Sequence, residues 1–525
     1  MAARLRELTR SPGTRIPPYT FGAAAGVLLL VLILGTLGVV AAYAGGLSAL
    51  GPWDMRAIWF TLWQSVVSAT LSAVLAVPVA RALARRRFTG RALLITLLGA
   101  PFILPVIVAV MGLVSVFGRS GFVNDALASL GLSPISIYGW QGVILAHVFF
   151  NLPLSVRMIL HGWQAIPAER FRLALSLGFG AADISRHLER PMLREVLPGA
   201  WLAVFLVCLT SFAVALALGG GPGATTVELA IYQAFRFDFD MGKAATLAIV
   251  QVGLCVVALA LASRISRPAE FGAGLDRTNP IPAPIGWRQG VDYISIAAAA
   301  AFLLVPMAAV ILKGVPGLLS LPPPVWAAAG RSVIMALISA LLALTLALAL
   351  ATAIARGQKW AELAGMLPLV ASPLVLGTGL FLMLRNAASP TELALPVTTT
   401  INAVMALPFA LRILIPATHS LHADYGRLAD SLGLHGFARL RLLILPRLAR
   451  PIGFAGGLSA ALAMGDLGVI TLFADSRNPT LPLKLYQFMN SYRMDDAAAC
   501  AVLLMGISFA LFWLFDRGGR VRAAI

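Results

Sequence analysis

One carboxylate stands where a carboxylate is costly. Asp466 lies in Ala463-Met464-Gly465-Asp466-Leu467-Gly468, inside an apolar run long enough to cross a bilayer. Ionisable groups in such runs face a partner or a solute path, because hydrocarbon cannot solvate them. A lone carboxylate near the midline suits a cationic solute; pairing with a neighbouring helix for packing is the competing use. Gly465 and Gly468 let a second backbone approach or let the helix break. Asn151 and Asn402, each close to a Leu-Pro pair, are the other polar candidates for lining a path. Interhelical hydrogen bonding competes for both.

Other chemistries lack their residues. The four lysines are Lys243, Lys313, Lys359 and Lys484, and none ends the Gly-x-x-x-x-Gly-Lys-Ser/Thr loop that cradles nucleotide phosphates. His419 and His422 are three apart, but no further ligand type is placed to complete a metal site, so they read as solvated histidines. Cys208, Cys255 and Cys500 all fall in apolar runs and read as small buried residues. The expectation is a protein with no catalytic residue, no metal and no cofactor of its own.

A second kind of chemistry is docking. Arg172-Leu173-Ala174-Leu175-Ser176-Leu177-Gly178 recurs as Arg427-Leu428-Ala429-Asp430-Ser431-Leu432-Gly433, and Pro191 recurs as Pro446. The surrounding Leu152-Pro153 and Arg157 recur as Leu407-Pro408 and Arg412 in the same register. Each copy predicts a short amphipathic helix, with Phe171, Ala174 and Leu177 or Gly178 on one face of the first. Tyr425, Leu428, Ala429 and Leu432 take that face in the second. The glycine suits a left-handed helix cap, and the proline marks where the chain re-enters the membrane. A helix lying on lipid headgroups needs only amphipathicity. Shared length, glycine and proline point instead to two rigid knobs for a partner with two equivalent sockets.

These residues must be positioned by membrane helices. Hydrophobic residues make up 59% of the 525 and charged residues 12%, where a soluble chain carries about 25% charge. Twelve apolar runs of spanning length occur, near 20–43, 57–80, 93–117, 139–160, 197–219, 244–263, 291–312, 332–355, 362–384, 397–418, 452–473 and 495–515. The fold class is all-α integral membrane, as two homologous six-helix halves. The net charge of +18 does not indicate nucleic acid, because 30 of the 40 basic residues fall on one side of this topology. That bias places both termini in the cytoplasm and makes the bilayer the surrounding medium. The first half runs over 1–266 with its repeated loop at 161–196. A linker with Pro280, Pro282 and Pro284 fills 267–289, and the second half runs over 290–525 with its loop at 419–450. Ala42-Tyr43-Ala44 imitates a signal cleavage site, but the apolar run before it is too long for a signal peptide and reads as an uncleaved anchor. External loops are too short to form a domain, so high-affinity capture of a solute would fall to another protein.

At this point the chain resembles a known family. Permease subunits of binding-protein-dependent, ATP-driven importers carry Glu-Ala-Ala, three residues, Gly, nine residues, Ile, any residue, Leu-Pro. Here Arg172-Leu173-Ala174, Gly178, Leu188 and Arg190-Pro191 occupy those positions, and so do Arg427-Leu428-Ala429, Gly433, Leu443 and Leu445-Pro446. The family glutamate is arginine in both copies, so the contact the family makes through that carboxylate is absent or inverted here. Gly219 to Ala234, Gly465 to Ile470, and Leu483-Lys484-Leu485-Tyr486-Gln487 look like the fused permeases of bacterial thiamine importers. The resemblance covers essentially the whole chain. It implies a permease that docks a periplasmic thiamine-binding protein outside and two copies of a cytoplasmic ATPase inside, with ATP and Mg bound by the ATPase. Fused ferric-iron permeases share the layout, and a twelve-helix secondary transporter is the alternative from another class.

Overall fold

The computed structural model describes residues 20–45, 50–99, 103–219, 221–265, 286–386, 389–473 and 478–524. Of the proline-spaced linker at 267–289, residues 267–285 lie outside them. The chain is an all-α, multi-pass membrane protein. Among the described residues eleven helices are long and apolar enough to span, and a twelfth span is completed if Lys359–Leu369 and Pro373–Leu384, bent by 94°, count as one.

The first half contributes α1 (Thr20–Tyr43), α2 (Pro52–Arg85), α3 (Arg91–Leu97), α4 (Val106–Phe117), α5 (Phe122–Ser129) and α6 (Trp140–Ala165). Then come α7 (Ala168–Ser176), α8 (Ala181–Ile184), α9 (Arg190–Leu209), α10 (Ala213–Leu218), α11 (Val227–Arg236) and α12 (Met241–Ile265). The second half contributes α13 (Trp287–Gly314), α14 (Pro323–Ile354), α15 (Lys359–Met366), α16 (Pro373–Leu384), α17 (Pro390–Ser431) and α18 (Gly436–Arg439). It ends with α19 (Leu445–Arg447), α20 (Ala449–Met464), α21 (Gly468–Phe473), α22 (Leu481–Asn490) and α23 (Met494–Ala524).

Each half builds the same three-helix core. In the first, α2 packs on α6 and α9; in the second, α14 packs on α17 and α20. The cause is readable on α2 and α14. Ser65, Ala69 and Ala73, then Ser68, Ser72, Ala76 and Ala80, form buried stripes of small residues four apart on α2. Ser332, Ala336 and Ala340, with Ser339, Ala343, Ala347 and Ala351, do so on α14. Lipid offers no hydrophobic drive between helices, so close backbone approach along small residues supplies the packing energy.

The compact units divide space differently from the way the repeat divides the sequence. One unit holds 1–44, 322–484 and 504–525; the other holds 45–321 and 485–503. The first helix of each half has changed places. Helix α1 packs on α14, α15 and α16, and α13 packs on α2 and α4. Both attachments are close. A Cβ on Gly22 of α1 would lie 2.6 Å from the Ala349 carbonyl oxygen, and one on Gly112 of α4 would lie 2.8 Å from that of Pro306 on α13.

Candidate functional site

The repeated polar segments share an architecture that the sequence announces only in part. Helix α7 ends in a Schellman motif: Phe179 N–H donates to the Ala174 carbonyl and Gly178 N–H to that of Leu175. The second copy repeats it, Leu434 N–H donating to Ala429 and Gly433 N–H to Asp430. Gly178 and Gly433 sit at φ of +75° and +66°, the left-handed region that favours glycine. The next turn is a wide π turn in both copies, Ser185–Glu189 and Leu440–Ile444, at the same offset in the repeat. Each π turn stops just short of Pro191 or Pro446. A proline ring clashes with the carbonyl four residues back in an ordinary α turn, and widening the turn relieves that clash.

The two copies differ where Pro167 corresponds to His422. Pro167 breaks the chain between α6 and α7, with Ile166 extended as residues before proline are. His422 allows the helix to continue, so the expected short helix of the second copy is the end of the 42-residue α17. A second difference is compensated. Leu175 and buried Ile184 are replaced by Asp430 and Arg439, whose Nη1 and Oδ1 are 2.7 Å apart. An ion pair thus stands in the second segment where the first has two apolar residues.

The faces also need correction. Phe171, Ala174 and Ala429 are buried, as expected. Leu428 and Leu432, and Leu177 as the alternative to Gly178, read from the sequence as sharing a face with these residues; they point outward instead. Leu173 is 61% exposed and Leu177 64%; Leu428 and Leu432 are 54% and 59%. Each segment thus presents two leucines one turn apart, at repeat-equivalent positions, beside exposed Arg172 or Arg427. Neither arginine forms an ion pair among the described residues.

Asp466 lies at a break in the helix. Helix α20 ends at Met464 and α21 begins at Gly468. The Asp466 Oδ1 accepts from Gly468 N–H at 3.1 Å, so the carboxylate caps the positive end of α21. Its Oδ2 is shielded from solvent and has no hydrogen-bond partner among the described residues. Asn402 lies beside it and donates to the Ala463 carbonyl at 3.5 Å. The first half breaks at the equivalent place, between Leu209 and Ala213, with Ser211 in the position of Asp466. There the freed carbonyls of Cys208 and Leu209 accept from Gln64 Nε2 at 3.0 Å and Gln251 Nε2 at 2.9 Å. Backbone inside a bilayer must find such partners. Asn151 donates to the His147 carbonyl at 2.8 Å and contacts Cys208 Sγ at 3.4 Å, a link between α6 and α9.

Two groups escaped the sequence reading. His147, the repeat equivalent of Asn402, is buried, and neither ring nitrogen has a hydrogen-bond partner among the described residues. Glu228, in the first turn of α11, is fully buried. The signal for His147 was a titratable residue in an apolar run; Glu228 lies between two such runs.

No family model matches the chain. Curated relatives match it end to end. The thiamine transport system permease protein ThiP of Salmonella typhimurium is 38% identical, over 98% of both chains. The protein of that name from Brucella abortus is 38% identical over 98% of this chain and 99% of its own. A sulfate transport system permease protein of Synechococcus elongatus is 26% identical over 44% of this chain and 83% of its own, so that relative spans about one half. With identity at this level across nearly its full length, the chain belongs to the family of thiamine transport system permease proteins.

Proposed function

We propose that this chain is the permease of an ATP-driven importer that moves thiamine from a periplasmic binding protein into the cytoplasm. Both termini and both repeated segments are cytoplasmic in this reading, following the basic-residue bias. Two copies of a separate ATPase dock on Arg172, Leu173, Ala174, Gly178 and Pro191 and on Arg427, Leu428, Ala429, Gly433 and Pro446. The ATPase supplies the ATP and Mg chemistry. The observation that carries the reading is the duplicated segment: a glycine-capped helix with two outward leucines and an arginine, made twice. Exposed leucines at a water-facing end are unfavourable unless a partner covers them. The relatives' printed names supply the solute class. Asp466, at a helix break and with one oxygen that has no hydrogen-bond partner among the described residues, is the candidate contact for a cation in transit, with Asn402 beside it. Asn151 serves packing more directly than transport.

Uptake of labelled thiamine by cells expressing the system tests this. Depleting ATP while the proton gradient is maintained should abolish uptake. Uptake that follows the gradient and ignores ATP would make the chain a secondary transporter.

A further inference from the structure

The first repeated segment is gripped by its own half in a way the second is not. Glu189, at the end of the π turn before Pro191, is 1% exposed. Its Oε2 is 2.6 Å from Arg81 Nη2 and its Oε1 is 2.6 Å from Arg85 Nη2. The two arginines are one turn apart at the end of α2, so each carboxylate oxygen has its own guanidinium. A group held at two points can neither slide nor rotate without carrying the end of α2 with it. The next residue, Arg86, extends the connection: its Nε lies 2.8 Å from Asp292 Oδ2 on α13, again buried. Segment, core helix and exchanged helix are thereby joined through one charged node.

Among the described residues the second half has no such carboxylate held by two arginines. Glu189 corresponds to Ile444. Setting Ser65 on Ser332 and Gly90 on Gly357, both glycines being left-handed, places Leu348, Thr352 and Ala353 opposite Arg81, Arg85 and Arg86. The Arg439–Asp430 ion pair lies within the second segment; Arg356, two residues past the end of α14, is near enough to feel both charges but forms no ion pair with Asp430 among the described residues.

We infer that Glu189 is a positioning residue for transport: with Arg81 and Arg85 it forms the joint through which the first segment, and not the second, drives its core helix. The inference rests on the proposed ATPase docking. Buried ion pairs of this kind resist partial disruption because the partner left behind is uncompensated. The joint therefore transmits displacement, where a lipid-exposed apolar contact would slip.

The test uses the full complex of permease, ATPase and binding protein in proteoliposomes, measuring assembly, ATP hydrolysis and thiamine uptake. Glu189→Ala should assemble and hydrolyse ATP, but uptake per ATP should fall by about tenfold, a typical coupling magnitude. Glu189→Asp should recover part of that loss. Ile444→Ala, at the equivalent site, should change the ratio by less than about twofold, as expected of a residue outside the coupled network. If Glu189→Ala fails to insert, Arg81→Lys with Arg85→Lys keeps the charges and removes the fixed fork; it should also lower uptake per ATP. A wild-type ratio in either variant, or an equal loss from Ile444→Ala, overturns the joint. Wild-type permease that binds no ATPase would instead overturn the docking proposal beneath it.

Discussion

Replacing Gly178 and Gly433 together by valine should uncouple transport without disturbing insertion. Both glycines have positive φ, and a Cβ built on either meets nothing within 4 Å. The cost is therefore conformational and not steric. For an L-residue the left-handed region costs about 1–2 kcal/mol, and β-branching raises it further. Each segment then loses its capped geometry by a factor of about 5–30, and an ATPase dimer that needs both would see about 30–1,000-fold, if the two costs add. The loss is local, because the long helices on either side keep their packing. Gly253 also has open space around its Cβ position but ordinary helical φ, so Gly253→Ala is the control and should be silent. The assay is thiamine uptake and ATP hydrolysis by the reconstituted complex, with insertion checked by protease protection. Normal coupled transport by the double valine variant would refute the reasoning that the left-handed cap shapes the docking surface.

Further outcomes follow from the same geometry. Changing Arg172 and Arg427 to Glu should weaken ATPase assembly by about 2–30-fold at low salt, since exposed pairs contribute about 0.2–1 kcal/mol each; a pull-down at several salt concentrations reads it, and undiminished assembly at low salt refutes the charge contact. Asp466→Asn should insert and bind ATPase normally but take up thiamine more slowly; lost assembly would make Asp466 a packing residue, and unchanged uptake would remove it from the path. Arg439→Ile should loosen the second segment by removing its ion pair with Asp430, while Arg439→Ile with Asp430→Leu, the residue types the first segment carries at those positions, should restore protection in hydrogen exchange. His422→Pro should break α17 at the place where Pro167 separates α6 and α7, at a cost of about 3 kcal/mol, seen as faster exchange across residues 418–424.

The glycine caps were legible because a repeat exposes them: a glycine kept in two copies at a helix end has few other uses. The helix break at Asp466 was legible as one of two options offered by Gly465 and Gly468. The amides that satisfy the matching break in α9 were not, because Gln64 and Gln251 lie far from it in sequence. Leu177, Leu428 and Leu432 were grouped with Phe171, Ala174 and Ala429 because helical periodicity collects apolar residues on one face; these leucines point outward while the others are buried. The continuity of α17 followed from a single substitution, His422 for Pro167, whose effect outweighs the similarity of the flanking residues. The exchange of α1 and α13 was invisible, since a repeat shows which segments are homologous and not which copy each packs against. Glu189 passed unnoticed because its arginines come from another helix.

In the proposed function, ATP hydrolysis by a partner docked on the two repeated segments drives thiamine through this chain. The most direct measurement places the purified complex in proteoliposomes with labelled thiamine and its binding protein on one side and ATP on the other. Accumulation should require ATP on the side facing the segments, persist with no ion gradient, and stop when the segments are blocked by an excess of catalytically dead ATPase. Accumulation without ATP, or unaffected by that block, would contradict the account.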